Sequence, residues 1–261
     1  MSNKSGEFDD QRQIELPMPP IELRRSVGVE DVSYFENEHG HLVFGEDVAP
    51  EKYGSVLDFG CGCGRIARQM ILQKDNIPNK YVGLDLYRPS IDWCVANLTQ
   101  IAPHFEFRHL DIFNPGLNPE GVQQVNFELI DKFSLINAHS VFTHILEDNV
   151  RFYFDQCVNS LEDDGILRST WFLFDKSLFP MMQDFQNCLY INSDDPSNAA
   201  IYDKAFVEAL YAERGLIPYK IYKPYVRGHQ WLIYAVKGNA ERASFPADDS
   251  DIGLARPPAR Q

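Results

Sequence analysis

The chain has 261 residues, of which 44% are hydrophobic, and a formal net charge of −14; this composition excludes global disorder and supplies the core of one large domain. A surface with this excess of carboxylates repels nucleic-acid phosphates and anionic lipid, so we expect neither as a partner, and no apolar stretch approaches the roughly 18 residues of a membrane-spanning helix. The five cysteines are an odd number in a long chain, which is typical of a cytoplasmic protein without a disulfide framework.

The composition divides the chain into several parts. Residues 1–16 are polar and are predicted to be a disordered N-terminus, and residues 17–50 combine prolines with a short amphipathic piece that suits a lid or entry segment. Residues 51–238 alternate between strand and helix patterns, except that aromatic, methionine and polar side chains at about 175–200 are interpreted as a substrate insertion. Residues 239–261 are rich in proline and aspartate and are predicted to be a disordered tail.

Hydrophobic periodicity predicts seven strands and four helices within residues 51–238. In chain order, the strands are SVLDF, KYVGLDL, HFEFRHLDIF, KFSLINAHS, ILRSTWFLF, IPYKIYKPYV and GHQWLIYAVKG, and the helices are RIARQMILQK, PSIDWCVANL, LEDNVRFYFDQCVNSL and DKAFVEALYAERGL. The last helix is expected to begin at Asp203 as its N-cap.

This order of elements predicts an α/β fold. Alternating strands and helices favour a doubly wound, mostly parallel seven-stranded sheet with helices on both faces, and the absence of a full helix between the last two strands favours an antiparallel edge strand. Ligands bind such sheets beyond the carboxyl ends of the strands. The glycine-rich stretch GCGCG follows the first strand, so we expect the binding site there.

The glycine stretch predicts close approach of a ligand to bare backbone. A dinucleotide fingerprint needs its third glycine at position 65, where the chain has Arg65, and the third glycine is Gly64 instead. We expect free amides of this loop, at a helix N-terminus, to suit an anion. Asp58 suits a ligand that carries an ammonium group, and Asp85, at the end of the second strand, suits two vicinal ribose hydroxyls.

A third acid, Asp111, ends the third predicted strand within reach of an adenine amino group. An amino acid joined to a nucleoside satisfies all of these features, and S-adenosylmethionine is such a molecule. A zinc site at Cys61 and Cys63 is disfavoured, because C-x-C without a second pair or a nearby histidine is a weak signal, and no metal is predicted. The predicted cofactor-binding residues are Asp58, Gly60, Cys61, Gly62, Gly64, Arg65, Asp85, Leu86, Asp111, Ile112 and Asn137.

Three segments, VLDFGCGCGRIAR, GLDLYRPSIDWCVANL and SVFTHI, resemble the class I, seven-stranded S-adenosylmethionine-dependent methyltransferases, especially a bacterial branch with an SVFTH signature. The likeness continues through IFNPGLNPEG and AIYDKAFVEALYAERGL and covers roughly residues 50–237. It implies the Rossmann-like strand order 3-2-1-4-5-7-6. The chain departs from this branch at DDGI, where Pro-Gly-Gly is common, and at HQW, where a Gln-Asp pair is common.

The candidate catalytic residues are His139, at the end of the fourth predicted strand, and His144, just beyond it, because an alcohol acceptor needs a base to remove its proton. His139 lies nearest the expected position of the donor methyl, and our hypothesis is that it deprotonates or orients the acceptor. His144 belongs to the signature, and a residue of this kind is more often a hydrogen-bonded residue that stabilises the loop. The predicted acceptor-binding residues are Ser140, Trp171 and Tyr202, although buried aromatic residues of this kind are more often core.

The sequence therefore predicts a methyltransferase that acts on a hydroxyl of a small-molecule acceptor, such as a sugar or secondary metabolite. Two alternatives stay open: a nicotinamide-dependent oxidoreductase and a non-catalytic protein that binds S-adenosylmethionine. The sequence leaves the acceptor, the methylated atom and the oligomeric state undetermined.

Overall fold

The computed structural model describes residues 15–178, 186–224 and 229–245 of the chain. Most of the two termini that were predicted to be disordered lies outside the described residues, as do Phe179, Met181 and Met182 of the predicted insertion. At the end of the N-terminal stretch, however, the side chain of Leu16 is buried. Leu16 therefore belongs to one of the hydrophobic core clusters.

Nine strands and five α-helices occur within the described residues. The strands are β1 Ser55–Phe59, β2 Lys80–Asp85, β3 Phe105–His109, β4 Phe133–Ala138, β5 Leu161–Phe174, β6 Cys188–Tyr190, β7 Ala200–Asp203, β8 Leu216–Tyr222 and β9 Trp231–Lys237. The helices are α1 Ile21–Ser26, α2 Arg65–Ile71, α3 Arg88–Asn97, α4 Glu147–Ser160 and α5 Lys204–Ala212. As predicted, the Asp203 side chain caps α5, where it accepts a hydrogen bond from the Phe206 backbone.

The sheet has the predicted arrangement with two additions. Its seven long strands follow the order β3-β2-β1-β4-β5-β9-β8, which is the predicted 3-2-1-4-5-7-6 because β8 and β9 are the sixth and seventh predicted strands. The antiparallel strand is β9, which lies one position inside the edge formed by β8. The short strands β6 and β7 were not predicted, because their segment lacks regular alternation; β7 pairs in parallel with the end of β5.

Two hydrophobic clusters cover the opposite faces of the sheet. Neighbouring strand residues belong to different clusters, as Leu135 and Ile136 of β4 do, because successive side chains of a strand point to opposite faces. The larger cluster contains Trp171 and Tyr202, which are fully buried. Burial of the two faces fixes the strand register and therefore the positions of the residues at the carboxyl ends.

Arg68 of α2 attaches the N-terminal segment to the body of the protein. This buried guanidinium donates hydrogen bonds to the backbone carbonyls of Leu16 at 2.8 Å, Pro17 at 3.0 Å and Phe35 at 2.9 Å. It also lies 3.1 Å from the carboxylate of Glu36. The predicted entry segment is thereby held against the helix that follows the glycine loop.

Among the helices of the described residues, none combines the length and apolar character that crossing a bilayer requires.

Candidate functional site

A cavity of about 640 Å³ opens at the carboxyl ends of β1, β2 and β4. Four segments surround it: the glycine loop after β1, the entry segment at residues 25–28, the loop at residues 112–117, and the loop at residues 139–146. Pro196 and Ser197, from the predicted insertion, complete the rim. This is the position at which an open α/β sheet binds ligands.

The glycines of the loop are required by backbone conformation and by protein packing. Gly60, Gly62 and Gly64 all have positive φ, at 78°, 53° and 78°. Residues other than glycine rarely adopt this backbone conformation. A Cβ on Gly60 would collide with Val141, and one on Gly62 would collide with Val27. Side chains of the protein itself, Val141 and Val27, therefore occupy the space that the missing Cβ atoms leave at Gly60 and Gly62.

Gly64 differs from the other two glycines. It lies outside the cavity lining, and a Cβ there would meet Leu98 at 2.7 Å and Cys94 at 2.9 Å. Close packing of α2 on α3 therefore accounts for a glycine at this position without a contact to the cofactor.

Three amides of the glycine loop are not free to bind a ligand. The amides of Gly60 and Cys61 both donate to the carbonyl oxygen of Leu84, at 2.7 and 3.1 Å. The Gly62 amide donates to Asp85 Oδ2 at 2.8 Å. The loop satisfies these donors internally, so it has no anion site built from them.

Asp85 stands at the end of β2, as predicted, and lines the cavity. Its Oδ2 accepts from Gly62 and its Oδ1 accepts from the Tyr87 amide at 2.8 Å. Because a carboxylate has about four acceptor positions, two positions remain after these bonds. The side chain is fixed in orientation and can still accept from two hydroxyls.

Arg65 presents a positive charge to the cavity. Within the described residues no hydrogen bond or ion pair engages its guanidinium, although the Asp58 charge attracts it. Desolvation by burial lowers the pKa of Arg65, so a ligand carboxylate there would compensate a partly desolvated cation. Arg65 therefore offers a charged donor at a point where the amides of Gly60, Cys61 and Gly62 are already engaged.

Asp58 lies beneath the cavity with both oxygens engaged. Oδ2 accepts from the Tyr81 hydroxyl at 2.5 Å, and Oδ1 accepts from Asn137 Nδ2 at 2.6 Å. Desolvation raises the pKa of Asp58. Asp58 and Asn137 are each 1% exposed, so they support the cavity floor more than they offer groups to a ligand.

Besides Gly64, three predicted site residues lie outside the cavity lining. The remainder of the cofactor set, Cys61, Leu86 and Ile112, lies within it. Asp111 is exposed and accepts a hydrogen bond from Asn118 at 3.0 Å. Trp171 stacks on Phe142 in the core, with ring centroids 4.6 Å apart. Tyr202 is also buried and donates its hydroxyl proton to the carbonyl oxygen of Ile145 at 2.6 Å.

His139 lines the cavity, but the groups around its ring make it a poor base. Arg168 donates to its Nδ1 at 3.3 Å. Desolvation, followed by the charges of Arg168 and Arg65, lowers the pKa of His139 to about 3. A histidine with this pKa is neutral near pH 7 and has a low proton affinity, which disfavours the hypothesis that it deprotonates the acceptor.

His144 also lines the cavity and is more exposed than His139. Its Nδ1 lies 2.8 Å from the carbonyl oxygen of Ser197. Because a carbonyl oxygen only accepts, Nδ1 must donate, and in the neutral ring Nε2 then carries the lone pair. The two histidines therefore have opposite hydrogen-bonding polarity.

Residues 57–167 match the family model described as a methyltransferase domain. The chain carries a methyltransferase domain. The methyltransferase is S-adenosylmethionine-dependent, which favours methyl transfer over the nicotinamide-dependent alternative.

Three solved structures are similar to the methyltransferase over part of its length. The first is magnesium protoporphyrin IX methyltransferase from Synechocystis PCC 6803 with bound SAM, at 12% identity and a TM-score of 0.46, with 70% of this chain and 69% of that chain covered. The second is the pyocyanin biosynthetic protein PhzM, at 14% identity and a TM-score of 0.49, with 74% of this chain and 52% of that chain covered. The third is the N-methyltransferase NodS from Bradyrhizobium japonicum WM9 with bound S-adenosyl-L-homocysteine, at 17% identity and a TM-score of 0.45, with 70% of this chain and 77% of that chain covered. At these identities and TM-scores, the three carry no argument about the activity of this chain.

Ser140 lies between the histidines in a strained conformation. Its φ of 59° is unusual for a residue other than glycine. The Ser140 amide donates to Thr170 Oγ1 at 2.7 Å, and its hydroxyl oxygen accepts from Gln230 Nε2 at 2.6 Å. The HQW segment, where the chain departs from its resembled branch, therefore reaches the cavity wall through Gln230.

Several residues of the methyltransferase site were missed by sequence reasoning. Val27 and Val141 contact the glycine loop, Ser197 orients His144, and Arg168 orients His139. For Arg168 a signal existed, since it is a lone charge within the predicted buried strand ILRSTWFLF. The other three gave no signal, because their roles depend on contacts between segments distant in sequence. Within the described residues no cluster of three or more metal-ligating side chains occurs.

Proposed function

We propose that this methyltransferase methylates a hydroxyl of a small-molecule acceptor, such as a sugar or a secondary metabolite, with His144 as the general base. The observation that carries the proposal is the hydrogen bond from His144 Nδ1 to the Ser197 carbonyl, which leaves Nε2 of a cavity-lining imidazole able to accept a proton. Of the two candidate histidines, His144 has the hydrogen-bonding polarity that a base needs. The SVFTH segment, residues 140–144, is proposed to mark the bacterial branch it resembles.

The cavity offers groups for three parts of S-adenosylmethionine: the carboxylate, the ribose and the adenine. We assign the cofactor carboxylate to Arg65, because this guanidinium has no hydrogen-bonding or ion-pair partner in the described residues. The ribose hydroxyls are assigned to the two remaining acceptor positions of Asp85. The apolar side chains of Leu86 and Ile112 line the same cavity and suit the adenine ring.

When bound, S-adenosylmethionine supplies a methyl group whose carbon–sulfur bond breaks, with its electron pair passing to sulfur, as the bond to the acceptor oxygen forms. The protein's own tasks are to hold the acceptor in line with that methyl and to take the hydroxyl proton. In this proposal, the proton passes to Nε2 of His144. Its Nδ1–H stays bonded to the Ser197 carbonyl, which stabilises the imidazolium that forms.

The matched variant for this role is His144→Asn, whose side-chain amide can still donate to the Ser197 carbonyl but has no basic nitrogen. We would screen a library of hydroxylated metabolites with methyl-labelled S-adenosylmethionine, identify the labelled product, and measure kcat for wild type and variant. General-base removal should lower kcat by about 10²–10⁴-fold, with cofactor affinity retained. His104→Asn is the control, because His104 is exposed and outside the cavity lining; we expect its kcat within about twofold of wild type.

If His144→Asn transfers methyl at the wild-type rate, His144 is not the base. A protein that binds S-adenosylmethionine and labels no acceptor in the screen would instead support the non-catalytic alternative. Labelling confined to amine acceptors would replace O-methylation with N-methylation.

A further inference from the structure

Arg168 lies in the middle of a cross-strand ladder below the cavity. In the sheet register it is opposite Asn137 of β4 on one side and Tyr234 of β9 on the other. Its guanidinium donates to Asn137 Oδ1 at 2.7 Å and to the Tyr234 hydroxyl at 3.3 Å. The same group stacks over the ring of Phe44, 4.7 Å from its centroid. These contacts hold the guanidinium in one orientation.

From this fixed orientation, Arg168 donates to Nδ1 of His139 at 3.3 Å. A guanidinium has no acceptor lone pair and stays protonated in proteins, so Nδ1 of His139 must be the accepting nitrogen. A neutral histidine then carries its proton on Nε2. The charged groups that face this ring are Arg168 from β5 and Arg65 from α2, and both oppose a second proton.

We infer that Arg168 is a positioning residue that holds His139 as a neutral hydrogen-bond donor, so that His139 orients the acceptor oxygen and does not take its proton. The inference rests on the proposed function in one respect, the identity of the acceptor as a hydroxyl. A hydroxyl both accepts and donates, which matches a site with a donating His139 and an accepting His144. The inference extends the proposed function by giving the two histidines different tasks.

The direct test is the tautomer of His139, which needs neither cofactor nor acceptor. Long-range ¹H–¹⁵N correlation spectra of the histidine-labelled full chain distinguish protonation at Nδ1 from protonation at Nε2, and His139→Gln assigns the signals. We expect the neutral Nε2–H form in wild type at pH 7. Arg168→Met should shift the population toward Nδ1–H, whereas Arg168→Lys, which keeps a charged donor, should shift it less.

The spectrum of wild type makes the test independent of whether the Arg168 variants fold. An imidazolium at pH 7, or a ring protonated on Nδ1 alone, would overturn the inference even in a protein that methylates a hydroxyl. The Nε2–H form would support it even in a protein for which no acceptor is found. Failure of the inference and failure of the proposed function are thus distinguishable.

A kinetic comparison separates donation from proton abstraction. Glutamine at position 139 can place an N–H near the position of Nε2, whereas asparagine places its amide near Nδ1 only. If His139 donates, His139→Gln should retain at least tenfold more kcat/KM than His139→Asn, with the difference mainly in KM. Equal losses in kcat for the two variants would indicate an ionisable group and would contradict the inference.

Discussion

The proposed cofactor half and the proposed acceptor half of the cavity are built in different ways. Apart from Ile112, the cofactor half comes from residues 58–87, where β1 pairs with β2 and the glycine loop after β1 is hydrogen-bonded to Asp85 at the end of β2. The acceptor half gathers His139 and His144 from one loop, Arg168 from β5 and Ser197 from the insertion. Its two histidines lie five positions apart and differ in hydrogen-bonding polarity because their partners differ. Local spacing encodes the first half, and long-range contacts decide the second.

The largest expected effect comes from Trp171, which the sequence assigned to the acceptor half and the structure assigns to the core. We expect Trp171→Ala to lower the free energy of unfolding by about 3–5 kcal/mol, because it removes a fully buried ring stacked on Phe142. Urea unfolding followed by circular dichroism measures this. Trp171→Phe, which keeps an aromatic ring, should lose less. A raised acceptor KM in Trp171→Ala at unchanged stability would return the residue to the acceptor site.

A smaller effect is expected in the cofactor half. Asp85→Ala should weaken binding of S-adenosylhomocysteine by about 100-fold, or about 2.7 kcal/mol, because two hydrogen bonds to a charged group are lost. Isothermal titration calorimetry gives the Kd. Asp111→Ala is the matched control, since Asp111 is exposed and outside the cavity lining. Equal losses in the two variants would show that the adenine contact predicted for Asp111 forms after all.

The smallest effect concerns pH and the environment of His139. Burial and two arginines lower the pKa of His139 to about 3 in the folded protein. As the pH falls below about 6.5, His139 is therefore protonated in the unfolded chain but stays neutral in the folded protein. The contribution of His139 to stability is therefore present above pH 6.5 and declines as pH falls toward 3. Between pH 7 and pH 5, the decline amounts to about 2 kcal/mol at most.

This decline is measured as a difference between two proteins. Urea unfolding at pH 7 and pH 5 should show a smaller loss of stability in His139→Gln than in wild type, because glutamine does not titrate. Identical losses in both would mean that His139 protonates normally in the folded protein. The role of Arg168 as its partner would then need another explanation.

The fold and much of the cofactor half could be predicted from the sequence because they depend on local properties. Strand and helix periodicity predicted the seven long strands, and the resemblance to a known family implied their order in the sheet. The glycines at positions 60, 62 and 64 have the positive φ that glycine permits. Asp85 is the last residue of β2, which pairs in parallel with β1, so it lies beside the glycine loop that follows β1. Each of these features depends on residues that are close together in the sequence or on directly adjacent strands.

The hydrogen-bonding partners and the burial of side chains were decided by the tertiary structure. Asp58 is engaged by Tyr81 and Asn137, and three of the loop amides are engaged by Leu84 and Asp85, because adjacent strands bring these groups together. The same register places Arg168 beside His139. A residue's type shows which protons it can give or take, but only packing between distant segments determines which of them are already in use.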